Sequence, residues 1–173
     1  MAALSRSDIE RLLSLLNDEL RSMSVKGEVY LVGGAVMCLA FGARESTRDV
    51  DAFFVPTQQV REAALRVASR TGAPAQWLND GVKGYLSERG SFSTYLELSH
   101  LQVYCADARY LLAMKCLAMR IGEEFQDVDD VRYLLRYLGL TGYEQALELI
   151  GRYYPLERFP QKTLYALEEL LGS

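Results

Sequence analysis

Two glycines and two aspartates constrain the fold of this chain more than any other feature of its sequence. Gly33-Gly34 follows the apolar stretch 29–32, and Asp49 and Asp51 open a second apolar stretch that runs to residue 55. Alternate residues of a strand point to one face, so we expect both carboxylates on the same side of a sheet. Two such charges repel each other and resist desolvation. A cation that prefers oxygen ligands relieves both costs, so the pattern predicts a Mg²⁺ site.

The glycine pair has two interpretations. It can form a tight strand-to-helix turn, in which glycine supplies a positive φ or room for close packing. It can also let backbone N–H groups approach a phosphate. The pair belongs neither to a G-x-G-x-x-G fingerprint nor to a Walker motif, because no further glycines and no Gly-Lys-Ser/Thr follow it. Taken with the aspartates, it favours a phosphate cradle that faces a metal site.

Length and composition limit the class of protein. A chain of 173 residues predicts one domain, and a net charge of −4 argues against a protein that binds nucleic acid with its whole surface. The scattered Cys38, Cys105 and Cys116 indicate buried thiols of a reducing compartment rather than disulfides or a zinc site. The sequence has no signal-peptide pattern and no apolar run of the ~20 residues that a membrane span needs. We therefore predict a cytoplasmic protein without a membrane partner.

Hydrophobic periodicity predicts a single α/β domain over residues 1–173. Its α/β core covers about residues 25–106, and a helical part covers about residues 107–171. A Ser7–Glu10 capping box predicts the start of the first helix. The Ser99-His100 pair, between two strand-like stretches, is either a hairpin turn or a bulge. The other predicted helices are 35–41, 58–70, 108–121, 127–138, 143–154 and 160–170, and the predicted strands are 29–32, 50–55, 95–98 and 101–104.

Three segments resemble the nucleotidyltransferase superfamily of the DNA-polymerase-β type. Segment 44–51 reads Arg-x-Ser-Thr-x-Asp-Val-Asp, and with Gly33-Gly34 ahead of it the pattern is similar to the G-[GS] and D-x-D motifs of that family. Segment 112–120 reads Leu-x-x-Lys-x-x-Ala-x-Arg, and segment 127–135 reads Asp-x-x-Asp-Val-x-x-Leu-Leu. Together they resemble the branch of AbiEii/MenT-like toxins and related small nucleotidyltransferases.

The resemblance implies a small mixed sheet with flanking helices, Mg²⁺ as the cofactor, and a nucleoside triphosphate whose NMP group passes to a hydroxyl. It makes Gly33 and Gly34 the phosphate-binding turn, and Asp49 and Asp51 the metal ligands. The acceptor would be a tRNA 3′ end, a protein or a small molecule, and a toxin-like member would have an antitoxin partner. The alternative is a catalytically weak nucleotide-binding or regulatory protein on the same fold.

The sequence departs from the family pattern at one position and leaves a second feature of the pattern open. Ala35 follows the glycines, where many members have a Ser or Thr that can bind phosphate. The family also has a third metal-binding carboxylate on a later strand. Glu97 is the candidate for that role and for activating the acceptor hydroxyl, although it can equally be an outward-facing strand residue.

Other charged residues complete the expected site. The resemblance makes Lys115 a candidate to touch the triphosphate or a carboxylate, while a lysine in an apolar helix can also reach solvent along its stem. Asp130 is a candidate acidic site residue. It shares a helix face with Asp127, which can simply stabilise the helix start. Arg44 and Arg48 flank the Asp pair, where they either hold the triphosphate or are only solvated.

Overall fold

The computed structural model describes residues 3–122 and 125–172. The chain divides into two compact units, Met1–Gly84 with Phe92–Ala106, and Tyr85–Ser91 with Asp107–Ser173. The first unit combines a mixed sheet with helices, and the second is helical. The predicted α/β class is therefore confirmed.

The first unit contains all strands of the described chain and three of its α-helices. In chain order they are β1 (Leu4–Ser5), α1 (Arg6–Ser22), β2 (Gly27–Leu31), α2 (Gly34–Leu39), β3 (Ser46–Thr47), β4 (Val50–Val55), α3 (Thr57–Thr71), β5 (Leu78–Asn79), β6 (Phe92–Glu97) and β7 (Leu101–Ala106). A short 3₁₀ helix covers Gly81–Tyr85.

The five-stranded sheet has the order β5-β4-β2-β7-β6, with β2 at its centre. Strand β2 runs antiparallel to β4 and parallel to β7, and its Leu31 pairs with Ala52 on one side and Cys105 on the other. The glycine turn after β2 therefore lies beside the start of β4. A separate two-stranded sheet pairs β1 with β3, and Leu4 lies opposite Thr47.

One face of the large sheet forms the core of this unit. Alternation along β2 and β4 buries Val29, Leu31 and Phe54 to 1% exposure or less. Helices α1 and α3 cover this face. A Cβ added at Gly27 would lie 3.0 Å from Leu20 Cδ1 of α1 and 3.1 Å from Val60 Cγ2 of α3. Each fully buried aliphatic side chain contributes about 1.5–3 kcal/mol, so this layer holds the strands in place.

The second unit is built from α4 (Ala108–Leu117), α5 (Asp127–Tyr137), α6 (Tyr143–Ile150) and α7 (Gln161–Leu171). Helix α4 contacts both α5 and α6, and α6 contacts α7. Every residue of α4 except Arg109 is buried, as expected for a helix that is apolar on all sides. The segment Tyr85–Ser91, which belongs to this unit, packs on Tyr110, whose hydroxyl accepts a hydrogen bond from Ser87 N at 2.9 Å.

The predicted elements match observed ones, but several boundaries differ. The predicted Ser7–Glu10 box is wrong, because the helix begins at Arg6 and Ser5 is its cap. Ser5 Oγ accepts from Asp8 N at 3.2 Å, and Asp8 Oδ2 accepts from Ser5 N at 2.9 Å. The helix predicted over 108–121 ends at Leu117, and the one over 143–154 ends at Ile150.

The turn at residues 99–100 joins β6 and β7 as a hairpin, and Leu98 N donates to Leu101 O at 2.8 Å. The register shift in this pair lies elsewhere, between Thr94 and Leu96. No helix among residues 3–122 and 125–172 is both long and apolar enough to cross a membrane.

Candidate functional site

The glycine turn has a backbone conformation that explains its first residue. Gly33 has φ 67° and ψ −148°, a region that essentially only glycine occupies. Its carbonyl oxygen accepts from Val36 N at 3.2 Å, which starts the turn of α2. Gly33 is therefore required by the fold itself, before any ligand is considered.

The side chain of Asp51 lies against this turn. A Cβ built at Gly33 would stand 3.1 Å from Asp51 Oδ2 and 3.6 Å from Asp51 Cβ. The backbone supports the contact, because Val32 N donates to Asp51 O at 3.0 Å. The β2–β4 ladder thus continues up to the glycines and places one carboxylate on them.

The two aspartates lie on the more open side of the chain. Val50 is fully buried, whereas Asp49 and Asp51 on either side of it are partly exposed. Asp49 lies at a bend just before β4, so strand alternation places only Asp51, and the shared face of the two carboxylates stays a prediction.

The oxygen donors of this pair suit Mg²⁺. In the described ranges no group of three or more His, Cys, Asp or Glu side chains is arranged to hold a metal ion. Mg²⁺ is commonly bound through one or two carboxylates, with substrate phosphates and water as its other ligands. Asp49 and Asp51 supply the oxygen ligands that Mg²⁺ prefers, and the magnesium site itself stays a prediction.

Two hydrogen-bond donors occupy the space above the second glycine. A Cβ built at Gly34 would overlap the guanidinium of Arg44 and would stand 2.7 Å from Thr47 Oγ1. Only a residue without a side chain leaves room for both groups. The turn thus places an acceptor, Asp51, at one glycine and two donors at the next.

The loop that carries these donors is anchored at several points. Ala43 N donates to Met37 O at 2.8 Å, and Cys38 Sγ donates to Arg44 O at 3.2 Å. Burial raises the pKa of the Cys38 thiol, and the nearby positive charge of Arg44 partly opposes this effect. Thr47 is held by its pairing with Leu4 and is 8% exposed. Arg48, in the same loop, is exposed.

The strand register places Glu97 at the opposite end of the sheet. Glu97 pairs with Gln102 in β7, Gln102 pairs with Glu28 in β2, and Glu28 pairs with Val55 in β4. Glu97 is exposed and shares a face with Asp51, but it lies three strands away and level with the far end of β4. Strand spacings put these positions about 14 Å apart across the sheet and about 13 Å along it. The expectation of a third carboxylate at Glu97 is therefore not met.

The second unit holds a buried cluster of charges around Lys115. Lys115 Nζ lies 3.2 Å from Asp127 Oδ1 and 2.7 Å from Asp130 Oδ2. All three residues are at most 9% exposed. Of the three expectations for Lys115, which were contact with the triphosphate, contact with a carboxylate and exposure to solvent, contact with a carboxylate is the one observed. The interaction joins α4 to α5.

Asp127 also binds the segment that follows α4. Its Oδ2 accepts from Arg120 N at 2.9 Å and from Arg120 Nε at 2.8 Å. Burial alone would raise the pKa of Asp127, but the hydrogen bonds from Arg120 and the charge of Lys115 outweigh it and lower the pKa to about 2. The Asp127 carboxylate is therefore ionised at neutral pH.

Sequence reasoning missed Thr47 and Asn79 as neighbours of the Asp pair. Asn79 is the register partner of Asp51 on β5. Thr47 stood within segment 44–51, but its position over Gly34 depends on how the loop folds back.

Comparisons of the chain with family models, with curated proteins and with solved structures find no match.

Proposed function

We propose that this protein is a Mg²⁺-dependent nucleotidyltransferase, which moves an NMP group from a nucleoside triphosphate to a hydroxyl. One observation carries the proposal. Asp51 places a carboxylate at Gly33, while Arg44 places a guanidinium at Gly34. Adjacent groups that bind cations and anions are what a metal-bound polyphosphate requires.

Each residue has a defined part in this proposal. Asp49 and Asp51 hold the metal, and the Arg44 guanidinium binds phosphate oxygens at the turn. Mg²⁺, when bound there, would neutralise part of the charge of the triphosphate. The acceptor oxygen forms a bond to the α-phosphorus, and the bond from that phosphorus to the β-phosphate bridging oxygen breaks. Pyrophosphate leaves with the electron pair, and the hydroxyl proton passes to water.

The acceptor classes follow from the resemblance of segments 112–120 and 127–135 to toxin-like relatives. A tRNA 3′ end, a protein hydroxyl and a small molecule are the candidates, and an antitoxin is the expected partner of a toxin-like member. The Lys115 cluster contributes by fixing α4 to α5 within the helical unit. Its part in the proposal is structural.

A second function is favoured by the position of Glu97. Because Glu97 lies at the far end of the sheet, it is not beside the Asp pair, where the expected activation of the acceptor hydroxyl would take place. A protein that binds the nucleotide with little or no turnover would need only the turn and the Asp pair. This second candidate is a nucleotide-binding or regulatory protein on the same fold.

Label transfer distinguishes the two candidates. Each α-³²P-labelled nucleoside triphosphate is incubated with the protein, Mg²⁺ and total cellular RNA or protein extract. The proposal expects label on an acceptor, and loss of it in Asp49→Ala and Asp51→Ala. Asp18→Ala is the matched control, because Asp18 is an exposed residue of α1 paired with Arg21. Nucleotide binding without transfer favours the second candidate, and absence of both binding and transfer rejects the two together.

A further inference from the structure

We propose that Thr47 is a phosphate-binding residue of the site, and that its hydroxyl donates to the polyphosphate of the nucleotide at the glycine turn. This inference rests on the proposed function and adds a specific ligand contact to it. Ala35, the next residue along the turn, offers only a methyl group. The hydroxyl at this place comes instead from the loop before β4.

The position of Thr47 is the first argument. Its Oγ1 would be 2.7 Å from a Cβ at Gly34, so the hydroxyl stands where a side chain of the turn would otherwise be. The Arg44 guanidinium reaches the same point. Two donors from one loop therefore converge at Gly34, and the Asp51 carboxylate lies at the adjacent Gly33.

The rigidity of Thr47 is the second argument. It is β-branched, which restricts its χ1 angle, and it lies in a strand whose pairing places it opposite Leu4. At 8% exposure it has little freedom to move. A hydroxyl held in this way binds a ligand without a further loss of side-chain entropy.

The current hydrogen bond of Thr47 is the third argument. Its hydroxyl donates to Asp49 O at 3.3 Å, which is long compared with the roughly 2.7–2.8 Å usual for O–H···O bonds. Exchanging this weak bond for one to a charged phosphate oxygen is favourable, because charge-assisted bonds are about twice as strong. The guanidinium beside it supplies further donors to the same phosphate.

Calorimetric titration of matched variants tests the inference. Wild type, Thr47→Val and Thr47→Ser are titrated with nucleoside triphosphate and with the corresponding monophosphate, both in Mg²⁺. Ser46→Ala is the control, because Ser46 is the neighbouring residue of β3 and pairs with Ser5. We expect Thr47→Val to weaken triphosphate binding roughly 10-fold or more, and monophosphate binding much less. Thr47→Ser and Ser46→Ala should stay within about 3-fold of wild type.

The outcomes separate this inference from the proposed function. Equal triphosphate affinity in wild type and Thr47→Val overturns the role of Thr47 and leaves the proposed function standing. Equal losses in Thr47→Val and Thr47→Ser, or equal losses for both ligands, show a structural role and also overturn it. If wild type binds no triphosphate in Mg²⁺, both proposals fall. Thr47→Ala, which retains the backbone pairing, replaces Thr47→Val if the latter does not fold.

Discussion

The carboxylate of Asp51 lies directly against the Cα of Gly33, where a Cβ would stand 3.1 Å from Asp51 Oδ2. This contact brings together the two parts of the sequence pattern, the glycine turn after β2 and the aspartate at the start of β4. The same glycine has φ 67° and ψ −148°. Any side chain at position 33 therefore disturbs both the backbone and the carboxylate.

Gly33→Ala should destabilise the protein and weaken nucleotide binding together. The backbone strain costs about 1–3 kcal/mol, and the new methyl group pushes on Asp51. Denaturant unfolding measures the first effect, and titration with nucleoside triphosphate in Mg²⁺ measures the second. Gly72→Ala is the control, since Gly72 also has a positive φ of +79° but nothing within 4 Å of its Cβ position. Unchanged nucleotide binding in Gly33→Ala would show that the glycine turn takes no part in binding the nucleotide.

Lys115→Met should destabilise the helical unit strongly. The substitution leaves the Asp127 and Asp130 carboxylates buried without their shared ammonium group, and breaking a buried pair in this way costs about 3–5 kcal/mol. Arg132→Met removes only an exposed pair with Asp129 and should cost less than about 1 kcal/mol. Chemical denaturation compares the two variants. A stable Lys115→Met protein that no longer binds nucleotide would instead assign Lys115 to the ligand.

Asp127 should make stability depend on pH in acid. Its folded pKa of about 2 lies below the ordinary value of 3.8, so its stabilising contribution is fully present above about pH 4. The contribution is lost as pH falls from about 4 towards 2, and its full size is about 2 kcal/mol. The stability difference between wild type and Asp127→Asn, from urea unfolding at several pH values, should shrink over this window. A difference that stays constant from pH 6 to pH 2 would contradict the assigned ion pairing.

The cysteines should be unreactive in the folded protein. Burial raises the pKa of both Cys105 and Cys116 to about 12, and the thiolate is the reactive form. Cys38 is also buried, at 2% exposure. A colorimetric thiol assay at pH 8 should detect the thiols only after denaturant is added. Rapid labelling of the native protein would show that the core opens more readily than this packing indicates.

Local patterns predicted the faces of the strands well, because a period of two needs no knowledge of distant residues. Along β4, Val50, Ala52 and Phe54 are buried and the residues between them are partly exposed, as the alternation requires. Alternation within β6 gives neither the face of the sheet that Glu97 occupies nor its level along the sheet. Both depend on where the β6–β7 hairpin turns and on the register of β7 with β2. The direction of Glu97 was open in the sequence, and the strand register places it on the face of Asp51 but at the opposite end of the sheet.

The helix cap and Thr47 were missed for a related reason. Ser5 and Ser7 are each followed three residues later by an acid, so the local signal for a capping box is nearly the same. Pairing of β1 with β3 keeps Ser5 extended and decides between them. That same pairing holds Thr47 over Gly34. Contacts between a loop and a distant turn are not encoded in any short window of sequence.

Whether Asp51 holds a nucleotide through Mg²⁺ is measured by calorimetric titration of wild type and Asp51→Asn with a nucleoside triphosphate, in Mg²⁺ and in EDTA. We expect wild-type binding to require Mg²⁺, and the affinity of Asp51→Asn to be lower by about tenfold or more. Wild-type binding that is equally tight in EDTA, or Asp51→Asn binding as tight as wild type in Mg²⁺, would contradict this expectation.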